Sequence, residues 1–168
     1  MGGTLVGRMQ HMRALRDVAS RRSVNGLMTV VVQGDPGMGK TRLVREFLEG
    51  HDEPTVWARC WDDQAVPNLW PWIQVLRALL DRPDAVGLAD LGVTTSVGAD
   101  EELGVFEQVA GAIRRTSRSD PLAIVIDDLH LADAASIRLL RFLSIALDDL
   151  PILLVTITRV HPPSEAVR

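Results

Sequence analysis

The stretch Gly34-Asp35-Pro36-Gly37-Met38-Gly39-Lys40-Thr41 matches the pattern G-x-x-x-x-G-K-[ST] without adjustment. In such a loop, glycines let backbone N–H groups turn inward around a polyphosphate, and the following helix directs its positive end at the same anion. We expect Lys40 to reach the β and γ phosphates and Thr41 to bring its hydroxyl to Mg²⁺. The stretch, with Arg42 directly after it, is therefore predicted to bind a nucleotide.

Two adjacent carboxylates, Asp127 and Asp128, follow the apolar run LAIVI at 122–126. A buried strand that ends in carboxylates delivers them to the edge of an α/β sheet where ligands bind. We predict that Asp127 holds Mg²⁺, through water, and that Asp128 orients or deprotonates the attacking water. Adjacent aspartates after a strand are also ordinary turn residues, so the catalytic interpretation depends on the glycine loop.

Two further side chains are candidates for sensing the end of the phosphate chain. Arg159 follows the apolar run ILLVTIT and is predicted to approach the γ phosphate, with a solvated arginine as the alternative. His130 lies three residues beyond Asp127, where a packed or solvated histidine is the more common outcome.

Lysine is nearly absent from this chain: Lys40 is the only one among 18 basic residues. Common GTPases select guanine with an Asn-Lys-x-Asp loop, which needs a lysine of its own. Because Lys40 is already assigned to phosphate, ATP is the favoured nucleotide. The same count excludes Schiff-base chemistry by a second lysine.

The elements that would position these residues alternate along the chain. Apolar runs rich in β-branched residues predict buried strands at 28–33, 55–60, 122–128 and 151–158. Helical spacing predicts apolar faces at Met9, Met12, Leu15 and Val18; at Leu43, Val44, Phe47 and Leu48; at Trp72, Val75, Leu76, Leu79 and Leu80; at Phe106, Val109 and Ile113; and in a helix from Ala134 with Asp133 as its N-cap. The alternation predicts an α/β fold with a parallel sheet covered on both faces, and the segment 81–100 is predicted to be a mobile insertion.

Composition excludes several classes of protein. No segment reaches the run of about 18 to 20 apolar residues that spans a bilayer, and the N-terminus lacks the apolar core of a signal peptide. The formal net charge is −4 and the arginines are scattered, so we expect no direct binding of nucleic acid and no membrane association. The single cysteine, Cys60, fits a cytoplasmic location and is predicted to be a small, semi-buried residue.

The chain resembles the STAND class of AAA-type P-loop ATPases, which includes the ATPase domains of large LuxR-type transcription regulators and domains found alongside bacterial nucleotide cyclases. The resemblance covers most of the chain and rests on these segments: LVGR at 5–8, GDPGMGKTRLVREFL at 34–48, ARCWDD at 58–63, WPWIQVLRALL at 70–80, VIDDLHLADAASIRLLRFL at 125–143 and TR at 158–159. It departs at Leu131, where an aromatic residue is usual, and at 157–159, where the usual Thr-x-Arg reads Ile-Thr-Arg.

The resemblance implies a P-loop NTPase three-layer sandwich whose parallel sheet has the strand order 5-1-4-3-2. It also implies that Val6, Gly7 and Arg8 lie near the adenine, and that nucleotide state governs assembly or release of an effector. On this basis residues 1–168 are expected to form a single ATPase core, truncated after the fourth strand and lacking the fifth strand, the lid and the effector domains. Hydrolysis by such a fragment should be slow, because an absent arginine finger can cost on the order of 10³ to 10⁵ in rate.

Three functions remain open at this point. The first is an ATP-binding switch with slow Mg²⁺-dependent hydrolysis in a larger bacterial signalling or transcription regulator, partnered by its own copies or by other domains of the same protein. The second is an AAA-type ATPase that loads or remodels a macromolecular partner through rapid turnover. The third, a small-molecule phosphotransferase, needs an acceptor pocket and an arginine-bearing lid, for which the sequence offers no specific support.

Overall fold

The computed structural model describes residues 8–61, 66–81, 87–91, 101–117 and 121–160 of the chain. Within these residues, helices and strands alternate as the sequence predicts. In chain order they are α1 (Arg8–Asn25), β1 (Met28–Gln33), α2 (Lys40–Leu48), β2 (Thr55–Arg59), α3 (Trp70–Leu79), α4 (Glu101–Thr116), β3 (Leu122–Asp127), α5 (Ala134–Ala146) and β4 (Ile152–Thr158). Single-turn 3₁₀ helices lie at Ala89–Leu91 and Leu129–Leu131.

The described strands form one parallel sheet in the order β1-β4-β3-β2. This order agrees with the 1-4-3-2 part of the order that the resemblance implies. Because all four strands are parallel, their carboxyl ends lie at one edge. The register places Gln33 beside Thr158, and Arg59 beside Asp127. The ends of the strands therefore bring the glycine loop and the acidic pair to the same edge, on either side of β4.

Helices cover both faces of the sheet, which gives three layers. On one face, α1 and α2 pack against alternate residues of the central strands. On the other face, α3, α4 and α5 pack against the residues between them. Every residue of β3 is buried, as expected of a strand covered on both sides. The predicted three-layer α/β fold is confirmed.

The four predicted strands agree with the structure to within about a residue at each end. The N-cap prediction is confirmed, since the Asp133 carboxylate accepts a hydrogen bond from Ser136 N at 2.9 Å. The predicted apolar face of α1 is wrong at Met9, which is 72% exposed. It is confirmed at Leu15, which is buried, and at Met12 and Val18, which are partly buried against the same cluster. Cys60, predicted to be semi-buried, is fully buried. Most of the segment 81–100 lies outside the described residues, so its predicted mobility stays a prediction.

Candidate functional site

The glycine loop connects the end of β1 to the start of α2. Gly37 and Gly39 have φ angles of 79° and 76°, in the left-handed region that side chains with a Cβ rarely adopt. Gly39 is also the N-cap of α2 and provides no capping side chain. The N-terminus of this helix, where backbone N–H groups and the positive end of the helix dipole favour anions, therefore faces the loop.

The Lys40 side chain folds back across the glycine loop. Its Nζ atom donates hydrogen bonds to the backbone oxygens of Gly34, at 2.8 Å, and Asp35, at 2.9 Å. A Cβ atom at position 34 would lie 3.3 Å from Met38 Sδ, a tighter contact than most Cβ atoms make, and 3.6 Å from the Cδ atom of this lysine, an ordinary contact. The ammonium group is thus held against the loop whose sequence predicts phosphate binding.

The loop and the acidic strand end meet at Thr41 and Asp127. The Thr41 hydroxyl lies 3.1 Å from Asp127 Oδ2 and 3.4 Å from Oδ1, although the two residues are 86 positions apart. Asp127 is only 5% exposed, and its Oδ1 atom also accepts a hydrogen bond from Asp128 N at 2.9 Å. A hydroxyl and a carboxylate at this spacing are the oxygen ligands that Mg²⁺ prefers, directly or through water.

The described residues contain no group of three or more His, Cys, Asp or Glu side chains that could hold a metal ion. A protein contribution of one hydroxyl and one carboxylate is nevertheless typical for Mg²⁺, which keeps several waters and usually shares substrate phosphates. The residues present therefore fit an Mg²⁺–nucleotide complex better than a metal site built from protein ligands alone.

Asp128 forms an ion pair that the sequence did not predict. Arg59, the last residue of β2, donates from Nε at 2.9 Å and from Nη2 at 2.7 Å to Asp128 Oδ2. The hydrogen bond and the negative charge of Asp128 raise the pKa of Arg59. Asp128 itself has a φ angle of 53°, which is unusual for a residue other than glycine. One oxygen of the predicted catalytic carboxylate is therefore already engaged by a cation.

Comparison with known families identifies the chain. A model of the AAA ATPase domain matches residues 4–155. The chain belongs to the AAA ATPase domain family. No curated protein sequence matches it.

Two solved structures share the fold of this AAA ATPase domain. One is the Drosophila ORC bound to DNA, with 21% identity, a TM-score of 0.55 and coverage of 92% of this chain. The other is a Signal Transduction ATPase with Numerous Domains (STAND) protein with a tetratricopeptide repeat sensor from Pyrococcus horikoshii, with 19% identity, a TM-score of 0.56 and coverage of 96%. The domain spans 38% of the first chain's length and 22% of the second's. At these identities the likeness shows the fold alone.

The remaining predicted residues of the AAA ATPase domain lie around the same edge of the sheet. Arg159 directly follows β4, which lies between the strands that carry the loop and the acidic pair, and its side chain is exposed. His130 is half-buried in the 3₁₀ turn Leu129–Leu131. Arg42 is exposed and pairs with Glu46 at 2.8 Å, one turn later in α2. The structure therefore gives Arg42 a local partner within its own helix.

The N-terminal segment predicted to lie near adenine is only partly described. Val6 and Gly7 lie outside the described residues, and Arg8 is the first residue of α1. Two residues separate α1 from β1, and His11 and Gln33 line one cavity of about 220 Å³. The start of α1 therefore lies at the same end of the sheet as the glycine loop.

A second cavity of about 410 Å³ lies beyond β2, between the segment after Arg59 and the start of α3. Its described lining includes Cys60, Trp61, Trp70, Pro71 and Asp133, and no residue of the glycine loop. Burial, together with the charge of Asp133, raises the pKa of Cys60 to about 12. This thiol stays protonated at neutral pH and is a poor nucleophile.

The described part of the chain contains no helix long and apolar enough to cross a membrane.

Proposed function

We propose that this domain is an ATP-binding switch with slow Mg²⁺-dependent hydrolysis, within a larger cytoplasmic bacterial regulator of signalling or transcription. The observation that carries the proposal is the contact between Thr41 and Asp127, which joins the glycine loop to the acidic strand end at 3.1 Å. Such a contact is what a shared Mg²⁺–triphosphate site requires, because both groups must approach the same ion.

Each polar group of the site has a proposed part in binding. The backbone of the loop from Gly34 to Gly39 surrounds the phosphates, and Lys40 exchanges its two carbonyl acceptors for phosphate oxygens. Thr41 and Asp127 hold Mg²⁺, which neutralises phosphate charge when bound. Val6, Gly7 and Arg8 contact the adenine. Arg159, which emerges between the loop and the acidic pair, approaches the γ phosphate.

Asp128 is the proposed base, and its ion pair supports slow turnover. A carboxylate accepts a proton from water only through an oxygen that is free to receive it. Asp128 Oδ2 accepts two hydrogen bonds from Arg59, so in this arrangement only Oδ1 is left to receive a proton from water. Both side chains are partly exposed, at 60% for Arg59 and 22% for Asp128, and such pairs typically contribute about 1 kcal/mol or less. The ion pair between Arg59 and Asp128 can therefore open, but the closed pair, in which Oδ2 is engaged, is favoured.

We further propose that residues 1–168 act as one ATPase core whose partners are its own copies or other domains of the same protein. The negative net charge of −4 gives no support for contact with nucleic acid by this segment. The alternative, an AAA-type ATPase that loads or remodels a macromolecular partner, differs in its kinetics. It requires rapid turnover that assembly stimulates.

The rate of hydrolysis at increasing protein concentration distinguishes the ATP-binding switch from the AAA-type ATPase that loads or remodels a partner. We expect turnover to stay slow while bound nucleotide changes the assembly state, measured by sedimentation with ATP and with ADP. Fast turnover that rises with assembly would overturn the proposal of a switch and favour the ATPase that loads or remodels a partner. An assembly state that does not depend on the nucleotide would contradict both.

A further inference from the structure

The backbone of Arg59 lies at the outer edge of the described sheet. On the inner side, Cys60 N donates to Asp127 O of β3 at 2.9 Å. Because backbone groups of successive residues in a strand point to opposite sides, the N–H and C=O groups of Arg59 face away from β3. In the described sheet β2 is an outer strand, so the acceptor and donor for these groups must come from elsewhere.

One side chain of α3 supplies both partners. Arg59 N donates to Gln74 Oε1 at 3.2 Å, and Gln74 Nε2 donates to Arg59 O at 2.9 Å. The amide thus bonds to Arg59 as the backbone of a neighbouring strand would. The same Nε2 lies 3.3 Å from Trp70 O, one turn earlier in the helix, which orients the amide. Gln74 therefore fixes the residue whose guanidinium engages Asp128.

We propose that Gln74 is a positioning residue that acts through Arg59 on Asp128 and so sets the rate of ATP hydrolysis. Fixing the Arg59 backbone reduces the number of positions that its side chain samples and favours the pair with Asp128. A shift of α3 along β2 that breaks the two hydrogen bonds between Gln74 and the Arg59 backbone would weaken the ion pair and release the Asp128 carboxylate. This inference rests on the proposed function for its kinetic consequence, but its structural part does not require nucleotide.

The structural part is tested by exchange of the Arg59 Nε proton, which the ion pair with Asp128 protects. Its resonance in an amide-type ¹H–¹⁵N spectrum is assigned by its loss in Arg59→Lys. We expect Gln74→Met, which keeps the length of the side chain but neither hydrogen bond, to speed this exchange about three- to tenfold. Gln108→Met makes the same substitution in α4, where the amide donates to Gly104 O, and should leave it unchanged.

The kinetic part is tested by combining Gln74→Met with Arg59→Ala. We expect Gln74→Met alone to raise kcat about three- to tenfold, with little change in KM for ATP, because Asp128 is released more often. In the Arg59→Ala background the same substitution should have no further effect. If Gln74→Met does not fold, Gln74→Glu, which keeps the acceptor and loses the donor, replaces it in both experiments.

The outcomes separate this inference from the proposed function. Unchanged Nε exchange in a folded Gln74 variant overturns the inference whether or not the protein binds ATP. An equal change in kcat with and without Arg59 also overturns it, since Gln74 would then act by another route. Absence of ATP binding in every variant overturns the proposed function instead, while altered exchange would still support the link between Gln74 and Arg59.

Discussion

At the scale of single residues, Asp128 carries the chemistry that we propose. Replacing it with asparagine removes the base but keeps the size of the side chain, so we expect Asp128→Asn to bind ATP and to lose about 10²- to 10⁴-fold in kcat. Asp148→Asn, in an exposed turn before β4, is the matched control. Single-turnover hydrolysis and ATP titration measure the two effects separately. Unchanged hydrolysis in Asp128→Asn would remove this residue from the catalytic role.

Arg59 is expected to restrain the same carboxylate. We predict that Arg59→Ala raises kcat about three- to tenfold, because a partly exposed ion pair worth about 1 kcal/mol no longer holds Asp128 Oδ2. The control is Arg138→Ala, which breaks a comparable pair in which Nε and Nη2 of Arg138 bond to Glu102. A fall in kcat for Arg59→Ala alone would show that Arg59 supports hydrolysis rather than restraining it.

The buried thiol of Cys60 predicts a loss of stability in alkali. Its pKa is raised to about 12 in the folded protein, against 9.0 for the ordinary thiol. Above pH 9 the unfolded chain loses this proton first, so the free energy of unfolding should fall as the pH rises from 9 towards 12. With no tyrosine and one lysine in the chain, few other groups titrate there. Urea denaturation at pH 8 and 10.5 should show a smaller decline for Cys60→Ala, and equal declines would contradict the assignment.

At the scale of elements, Asp133 joins the beginnings of two helices. It caps α5 through Ser136 N at 2.9 Å and Ser136 Oγ at 2.6 Å, and it accepts a hydrogen bond from Leu69 N, at the start of α3, at 3.2 Å. We expect Asp133→Ala to lower the free energy of unfolding by about 2 kcal/mol, as the loss of a strong N-cap does. Urea denaturation measures this, with Asp52→Ala in an exposed loop as the control. A change no larger than the control's would contradict the role of the cap.

The elements themselves were largely predictable from the sequence, and their cross-strand contacts were not. Buried parallel strands are continuous apolar runs, so β3 and β4 could be located to within a residue. The ion pair between Arg59 and Asp128 joins residues 69 positions apart, and it follows from the register of β2 against β3, which no local pattern encodes. The one available signal was an arginine at the end of a strand predicted to lie in the same sheet.

The face of α1 was harder to predict for a different reason. Met9 and Met12 both fit the helical spacing, but Met9, in the first turn of α1, is 72% exposed, whereas Met12 packs against the core. Spacing reports which residues share a face, whereas burial also depends on how far the neighbouring elements reach. The role of Arg159 and of residues 6–8 in nucleotide binding stays a prediction for the same reason, since both depend on contacts beyond local pattern.

At the scale of the whole molecule, strand order determines where the site lies. The order β1-β4-β3-β2 brings four features to one edge: the loop after β1, Arg159 after β4, the acidic pair at the end of β3 and Arg59 at the end of β2. Membership of the AAA ATPase domain family implies nucleotide binding, and open parallel sheets bind ligands at the edge formed by the carboxyl ends of their strands. The fifth strand of the order 5-1-4-3-2 stays a prediction.

Titration of labelled ATP and GTP against the protein and its Lys40→Ala variant, in Mg²⁺, tests the central claim most directly. We expect ATP to bind the wild type in preference to GTP, and we expect Lys40→Ala to lose most of that affinity because no second lysine can replace the charge. Arg115→Ala, which removes one exposed charge at the end of α4 away from the loop, should bind ATP as the wild type does. Equal ATP affinity of the wild type and Lys40→Ala would contradict the phosphate-loop assignment.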